Sequence, residues 1–341
     1  MKNTGTITFD YIFTNPPWGK KLSKEERERY AHFHHLEKTN DTSSLFFIAC
    51  LNKLKENGKI GFLLPEAFFN ISTFEYVREK ALEQKIERLI DYGKPFKGLI
   101  TRAQAIILSK TNADNNFAHC EFEEDKFTRT VNSFCNTPKH IFNFWAKSEA
   151  SEVIEHIFRL PHSTLKDNAE WGLGIVTGNN DKMCKTVQTE GYKPIFRGQD
   201  ITPTGLKEPS LFIQEEGLSH CQQVAPIKMY KSKEKLIYRF ISNKLVFFRD
   251  TEQRYILNSA NMLILKEKFS VSCVQLMDLF NSDFMNWLFL NIFHTHKVLR
   301  GDLELLPIHA EYFNENKEFD ENKYLNYLQI EKTNGTYRIK R

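Results

Sequence analysis

The residues best able to do chemistry in this 341-residue sequence are four in a row, Asn15-Pro16-Pro17-Trp18. They follow a short apolar run, Phe9 to Thr14, that reads as a buried strand entering a rigid loop. This order suits methyl transfer to an amino group conjugated to a ring or a carbonyl. Such a nitrogen is a poor nucleophile because its lone pair is delocalised. The Asn15 side-chain oxygen and the Pro16 carbonyl can each accept one amino hydrogen, which localises the lone pair and holds it in line with a sulfonium methyl. Two prolines fix the backbone and aim that carbonyl. Trp18 offers a flat face to a planar substrate. A Pro-Pro pair alone would merely end a strand. With Asn before it and an aromatic after it, at the carboxyl end of a strand in an α/β sheet, it points to a ligand site.

The elements that must hold this loop alternate in type. After a charged stretch from Lys20 to Asp41, Ser43 or Ser44 can cap a helix over Leu45 to Lys55, with Asn57-Gly58 as its stop. Lys59 to Leu64 reads as a second buried strand ended by Pro65, and Ser72 to about Gln84 as a helix. Ile86 to Tyr92 and Ala103 to Leu108 are the third and fourth strands, joined so briefly that an antiparallel pair at the sheet edge is expected. The fold class expected is α/β: a partial doubly wound, Rossmann-like sheet, then a mixed α+β domain. The divisions expected are residues 1–115 for the sheet, 116–165 as a connecting region and 166–341 for the second domain. Asn334-Gly335, between alternating residues, signals a terminal β-hairpin.

Composition narrows the class. Hydrophobic residues at 41% and charged residues at 26% exclude a disordered or fibrous chain. A net charge of +4 neither requires nor excludes nucleic acid, because clustering decides binding. No apolar run approaches the ~20 residues of a membrane span, and no secretory signal follows Met1. Cys50, Cys120, Cys135, Cys184, Cys221 and Cys273 lie far apart, as reduced thiols would. A cytoplasmic protein with no membrane partner and no metal is expected. The 29 Phe suit an aromatic core. His32, His34 and His35 read as solvated or DNA-facing, and His294 and His296 as helix-end residues. Lys20, Lys21, Lys24, Arg27 and Arg29 alternate with glutamates, so a solvated helix and a DNA lid stand level.

Asp10 to Trp18 resembles the catalytic motif of the N6-adenine DNA methyltransferases, and the next hundred residues keep that family's order. Asp41 to Phe47 looks like the helix bordering the cofactor, and Gly58 to Pro65 like the strand that follows. Asp91-Tyr-Gly-Lys-Pro-Phe96 with Thr101-Arg-Ala-Gln-Ala looks like the hairpin whose aromatic packs on the extruded adenine. Further on, Gly174 to Asn180, Tyr192 to Ile201, Lys235 to Arg239, Leu279 to Ser282 and Leu305 to Ile308 resemble the TaqI-like specificity domain of gamma-class restriction–modification enzymes. The resemblance implies base flipping and S-adenosylmethionine-dependent methylation of double-stranded DNA at adenine N6. Asn15, Pro16 and Trp18 would be catalytic, with Trp18 and Phe96 stacking on the base. Pro17 and Phe46 would form a partial cofactor site. Arg197, Lys235 and Arg239 are assigned to DNA, with Asp200 and Asn281 holding loops.

The departures from the family carry expectations too. A gamma-class enzyme places a Phe-x-Gly-x-Gly turn and a ribose-binding acid ahead of the motif, and only nine residues precede Asp10. Gly172-Leu-Gly174 is the only Gly-x-Gly, and it follows no buried strand. The cofactor pocket is therefore expected to be incomplete, in a truncated chain or the second half of a split enzyme. A complementary N-terminal methyltransferase chain and a cognate restriction endonuclease are the implied partners. Two other readings stand beside this one. The first is a non-catalytic DNA-binding specificity subunit or remnant. The second is methylation of RNA or of protein glutamine, against which the second domain argues.

Overall fold

The computed structural model describes residues 7–19, 22–33, 42–98, 101–112 and 116–340. The chain divides into two units, Met1–His156 with Asn291–Phe293, and Ile157–Leu290 with His294–Arg341. Lys20, Lys21, His34, His35 and Asp41 lie outside the described residues.

The first unit is built on a six-stranded sheet. Its early elements are β1 (Phe9–Thr14), α1 (Lys24–Phe33), α2 (Thr42–Lys53) and β2 (Leu54–Pro65). After these come α3 (Glu75–Leu82), β3 (Gln84–Asp91), β4 (Ala103–Asn112), β5 (Phe117–Phe122) and β6 (Asp125–Thr130). The strand order is β1-β2-β4-β3-β5-β6. β1 runs parallel to β2, while β4 runs antiparallel to both β2 and β3. The short β3–β4 connection thus gives the antiparallel pair that the sequence suggests. That pair is not at the edge, however, because β5 adds to β3 in parallel and β6 follows it. The signal lay in residues assigned to a connecting region: Ala118, Cys120 and Phe122 alternate and are all buried. The first unit therefore runs well past residue 115.

Asn57-Gly58 does not stop a helix. α2 ends at Lys53 and β2 begins at once. The register shifts between Phe9 and Tyr11, with Asn57 at φ 63°, so the pair forms a bulge in β2. Asp10 at the same place is ion-paired with Lys55 at 2.9 Å.

The abundant Phe is explained by the core. Phe47, Phe62, Phe68, Phe69, Phe134, Phe142 and Phe144 are each at most 1% exposed and pack ring against ring. Burying each such ring contributes about 1.5–3 kcal/mol. Arg78 crosses this region wholly buried. It donates to the carbonyls of Phe68, Ile71, Lys139 and His140 at 2.6–2.9 Å, and burial lowers its pKa to about 9.

β1 differs from the other strands. Among the described residues it is, like β6, paired on one side only, but Phe9, Tyr11 and Phe13 are 46%, 66% and 68% exposed. The Tyr11 and Phe13 rings stack at 6.5 Å. Phe13 lies across Gly61 of β2, where any Cβ would meet its ring at 2.5 Å.

The second unit is mixed α+β, with two four-stranded sheets. One holds Cys184–Lys185, Tyr192–Phe196, Phe212–Gln214 and Tyr255–Ile256; the other holds Ala169–Leu173, Lys235–Arg239, Phe247–Asp250 and Ala260–Leu265. Consecutive helices Cys273–Asn281 and Asp283–Phe293 begin at the capping hydroxyls of Ser272 and Ser282. The final hairpin pairs Ile330–Thr333 with Thr336–Ile339. Asn334 and Gly335, at φ 50° and 77°, make its turn. Among the described residues no helix is long and apolar enough to cross a membrane.

Candidate active site at the carboxyl end of β1

Strand β1 delivers Asn15-Pro16-Pro17-Trp18 at its carboxyl end. Pro16 is buried and Asn15 exposed, and the Asn15 amide has no hydrogen-bond partner among the described residues. Two bonds pin the rest of the loop. The Trp18 indole N–H donates to the Leu63 carbonyl of β2 at 3.2 Å. The Thr42 hydroxyl, in the first turn of α2, donates to the Pro17 carbonyl at 3.1 Å. The indole is thus held through its edge, which leaves a face for a flat molecule.

Phe96 approaches from the β3–β4 loop. Its ring meets Trp18 edge-on, with centroids 5.7 Å apart and planes at 75°. The structure therefore brings together two aromatics that stand far apart in the sequence. Beneath them, Asp91 at the end of β3 accepts from Arg102 Nε and Gln104 Nε2, both at 3.1 Å, and from the Gly93 amide at 3.1 Å. A second Arg102 nitrogen also binds this carboxylate. The hydrogen bonds that Arg102 donates to the Asp91 carboxylate raise the Arg102 pKa above its ordinary value. Residue types did not reveal this cluster, since Asp91 and Arg102 were read only as parts of a hairpin.

On the other side of the loop lies a cavity of about 390 Å³. It is lined by Pro17, Leu22, Tyr30, Thr42, Leu45, Phe46 and Ala49. Pro17 and Phe46, paired only by resemblance, share this wall. Leu22, Tyr30 and Ala49 were missed because no spacing links them. Among the described residues no group of His, Cys, Asp and Glu could hold a metal.

The second-unit assignments fare differently. Lys235 is a correction: it is completely buried, bonded to the Tyr230 carbonyl at 2.6 Å and ion-paired with the equally buried Asp250. Burial lowers the Lys235 pKa. Burial would raise Asp250, but hydrogen bonds from Lys235 and Arg254 hold it below the ordinary value. A side chain so enclosed does not reach phosphate. Arg197 is 35% exposed and engaged by Asp200 and by Ser210. Among the described residues Arg239 donates only its Nε, to the Ile201 carbonyl at 2.7 Å. Asp200 accepts from the Arg197 amide at 2.7 Å and fixes a local turn, whereas Asn281 both donates to and accepts from the Phe247 backbone and so ties the end of helix Cys273–Asn281 to strand Phe247–Asp250. His294 ends its helix in the left-handed region, at φ 42°.

Comparison with known proteins places these features. Residues 2–97 match the Eco57I restriction-modification methylase family, and residues 193–308 match the TaqI-like C-terminal specificity domain. The Type II methyltransferase M.VspI of Vibrio sp. (strain 343) is 48% identical over 198 residues, 58% of this chain and 48% of that protein. Over these parts the chain is similar to restriction–modification methyltransferases. A second relative, the Type II restriction enzyme and methyltransferase RM.Eco57I of Escherichia coli, is 30% identical over 127 residues. Those residues are 35% of this chain and 13% of that protein. The chain thus spans about half of one relative and a smaller part of the other. Among solved structures, the Type IIL restriction-modification enzyme MmeI in complex with DNA superposes with a TM-score of 0.52 at 9% identity. That superposition covers 86% of this chain and 44% of MmeI, and it shows the likeness of fold alone.

Proposed function

We propose that this chain is part of a restriction–modification methyltransferase and carries the base-binding loop and the target-recognition part of an enzyme that methylates adenine N6 in double-stranded DNA. The observation that carries this reading is the carboxyl end of β1. There an exposed Asn15 amide, unpartnered among the described residues, adjoins a proline-fixed carbonyl, with Trp18 and Phe96 beside it. Adenine extruded from the duplex would enter on the Trp18 face. Asn15 Oδ1 and the Pro16 carbonyl would each accept one hydrogen of the amino group, holding the nitrogen as it becomes tetrahedral. Once methylated, the nitrogen gives up one proton to solvent, while these two oxygens only hold its hydrogens in place.

S-adenosylmethionine fits this chain in part. The apolar cavity beside Pro17 and Phe46 suits the flat purine end of that molecule. Among the described residues its lining offers no carboxylate for the ribose and no charge for the amino-acid end. When bound, S-adenosylmethionine supplies an electrophilic methyl group. The open side of β1, with its outward aromatics, suits a further strand-bearing segment that completes the sheet. A complementary methyltransferase polypeptide is the partner proposed there, and a cognate endonuclease the partner of the system. Phosphate contact is proposed through Arg239, whose Nη groups have no partner among the described residues, and through the exposed part of Arg197. Lys235 drops out.

The test is nucleoside analysis of DNA from cells that express the chain together with a complementary N-terminal methyltransferase polypeptide. N6-methyladenine that disappears with Asn15→Ala supports the proposal. N4-methylcytosine in its place, or methylated RNA with unmodified DNA, overturns it.

A further inference from the structure

The two walls of the aromatic site are held in different ways. Trp18 is tied directly to β2 through the Leu63 carbonyl. Phe96 sits partway along the excursion between β3 and β4 and is 37% exposed. With planes at 75° and centroids at 5.7 Å, the two rings leave no parallel slot for a base. Phe96 must therefore turn while Trp18 stays. A ring that turns on a loose loop would spend its stacking energy on ordering that loop.

The stem of the loop is where order is stored. Asp91 is the last residue of β3 and Arg102 immediately precedes β4. Their side chains close the stem, with the Asp91 carboxylate 1% exposed and bonded as described to Arg102, Gln104 and the Gly93 amide. Two backbone bonds lie beside them, Tyr92 N to Ala103 O at 2.9 Å and Ala103 N to Gly93 O at 2.8 Å. The Arg102 carbonyl accepts from the Glu66 amide at 3.1 Å, which ties the stem to the end of β2. The Arg102 guanidinium also lies over the Phe122 ring at 5.1 Å. All of this bonding is at the stem, and Gly93 and Gly98, at φ 66° and 85°, bracket the part that carries Phe96.

We propose that Asp91, Arg102 and Gln104 form a positioning clasp that fixes the stem of the β3–β4 loop, so that Phe96 can turn from its edge-on rest against Trp18 to stack on a captured base. None of the three touches the base. The proposal rests on the reading of Trp18 and Phe96 as the walls of the base site.

The experiment titrates the full chain against a duplex carrying 2-aminopurine opposite an abasic site, where extrusion costs little. The midpoint of the emission change is the readout. Phe96→Ala should weaken capture by about 5–150-fold, the loss of one aromatic stack. Arg102→Met, which keeps the stem over Phe122, should weaken it within the same range. The double variant should bind no more weakly than Phe96→Ala alone, because the clasp acts only through that ring. Asp91→Asn, nearly isosteric, decides the matter if Arg102→Met does not fold. Parental capture by the clasp variants while Phe96→Ala weakens overturns the clasp, as does full additivity in the double variant. Parental capture by Phe96→Ala overturns the base-site reading instead.

Discussion

Lys235→Met offers a direct check on how the second unit is held together. The substitution keeps the bulk of the stem and removes the ammonium. Two groups lose a donor: the Tyr230 carbonyl at 2.6 Å and the Asp250 carboxylate. Leaving a buried carbonyl unmet costs about 1–3 kcal/mol. Breaking a buried ion pair costs about 3–5 kcal/mol when the remaining charge has no other partner. Here Asp250 keeps the Arg254 guanidinium at 2.8 Å and the amides of Glu252 and Arg254 at 3.1 and 2.9 Å. The lower end is therefore expected, about 3 kcal/mol in all. Urea titration followed by circular dichroism measures it. Lys235→Met/Asp250→Asn should recover part of the loss, since the amide oxygen can still accept from those backbone groups. A midpoint unchanged by Lys235→Met, with DNA affinity and salt slope lowered, would refute the buried pair and return Lys235 to the DNA surface.

Burial raises the Asp302 pKa to about 7. Its preference for the protonated form stabilises the fold fully below about pH 4 and is lost as pH rises toward 7. Asp302→Asn should therefore raise the melting temperature at pH 8 and change it little at pH 4, and equal shifts at both would contradict this. Arg78→Met should cost at least about 4 kcal/mol in a urea titration, because four buried or part-buried carbonyls lose their donor at about 1–3 kcal/mol each. Tyr11→Lys with Phe13→Lys should reduce self-association seen by light scattering, and unchanged association would show that the open side of β1 is not sticky. Arg239→Ala should weaken DNA binding at all sequences and lower the salt slope by about one unit, as phosphate contacts do.

What the sequence disclosed was local. The run ending in Asn15-Pro16-Pro17-Trp18 announced both a strand and its loop, because proline restricts the residue before it. Asn334-Gly335 announced its hairpin through two residues that tolerate positive φ. Asn57-Gly58 used the same vocabulary but made a bulge, and only pairing with β1 tells a bulge from a helix stop. The place of β5 was hidden because a strand reads as one only once its alternate residues have a core to enter. Lys235 failed for a similar reason: a lysine in an apolar strand resembles a surface charge until Asp250 is brought opposite it. The Asp91–Arg102 contact and the cavity at Pro17 and Phe46 depend on tertiary placement in the same way.

The central claim is that the loop after β1 orients an amino group for methyl transfer while the aromatics hold the base. Single-turnover methylation, on duplexes with the target adenine matched or mismatched and with the complementary polypeptide supplied, tests it most directly. Asn15→Ala should lower the rate about 10²–10³-fold on both duplexes, because it removes a preorganised acceptor. Trp18→Ala and Phe96→Ala should be partly rescued by the mismatch, which makes extrusion cheaper. Near-parental rates for Asn15→Ala, or its rescue by the mismatch as fully as the aromatic variants, would contradict the account.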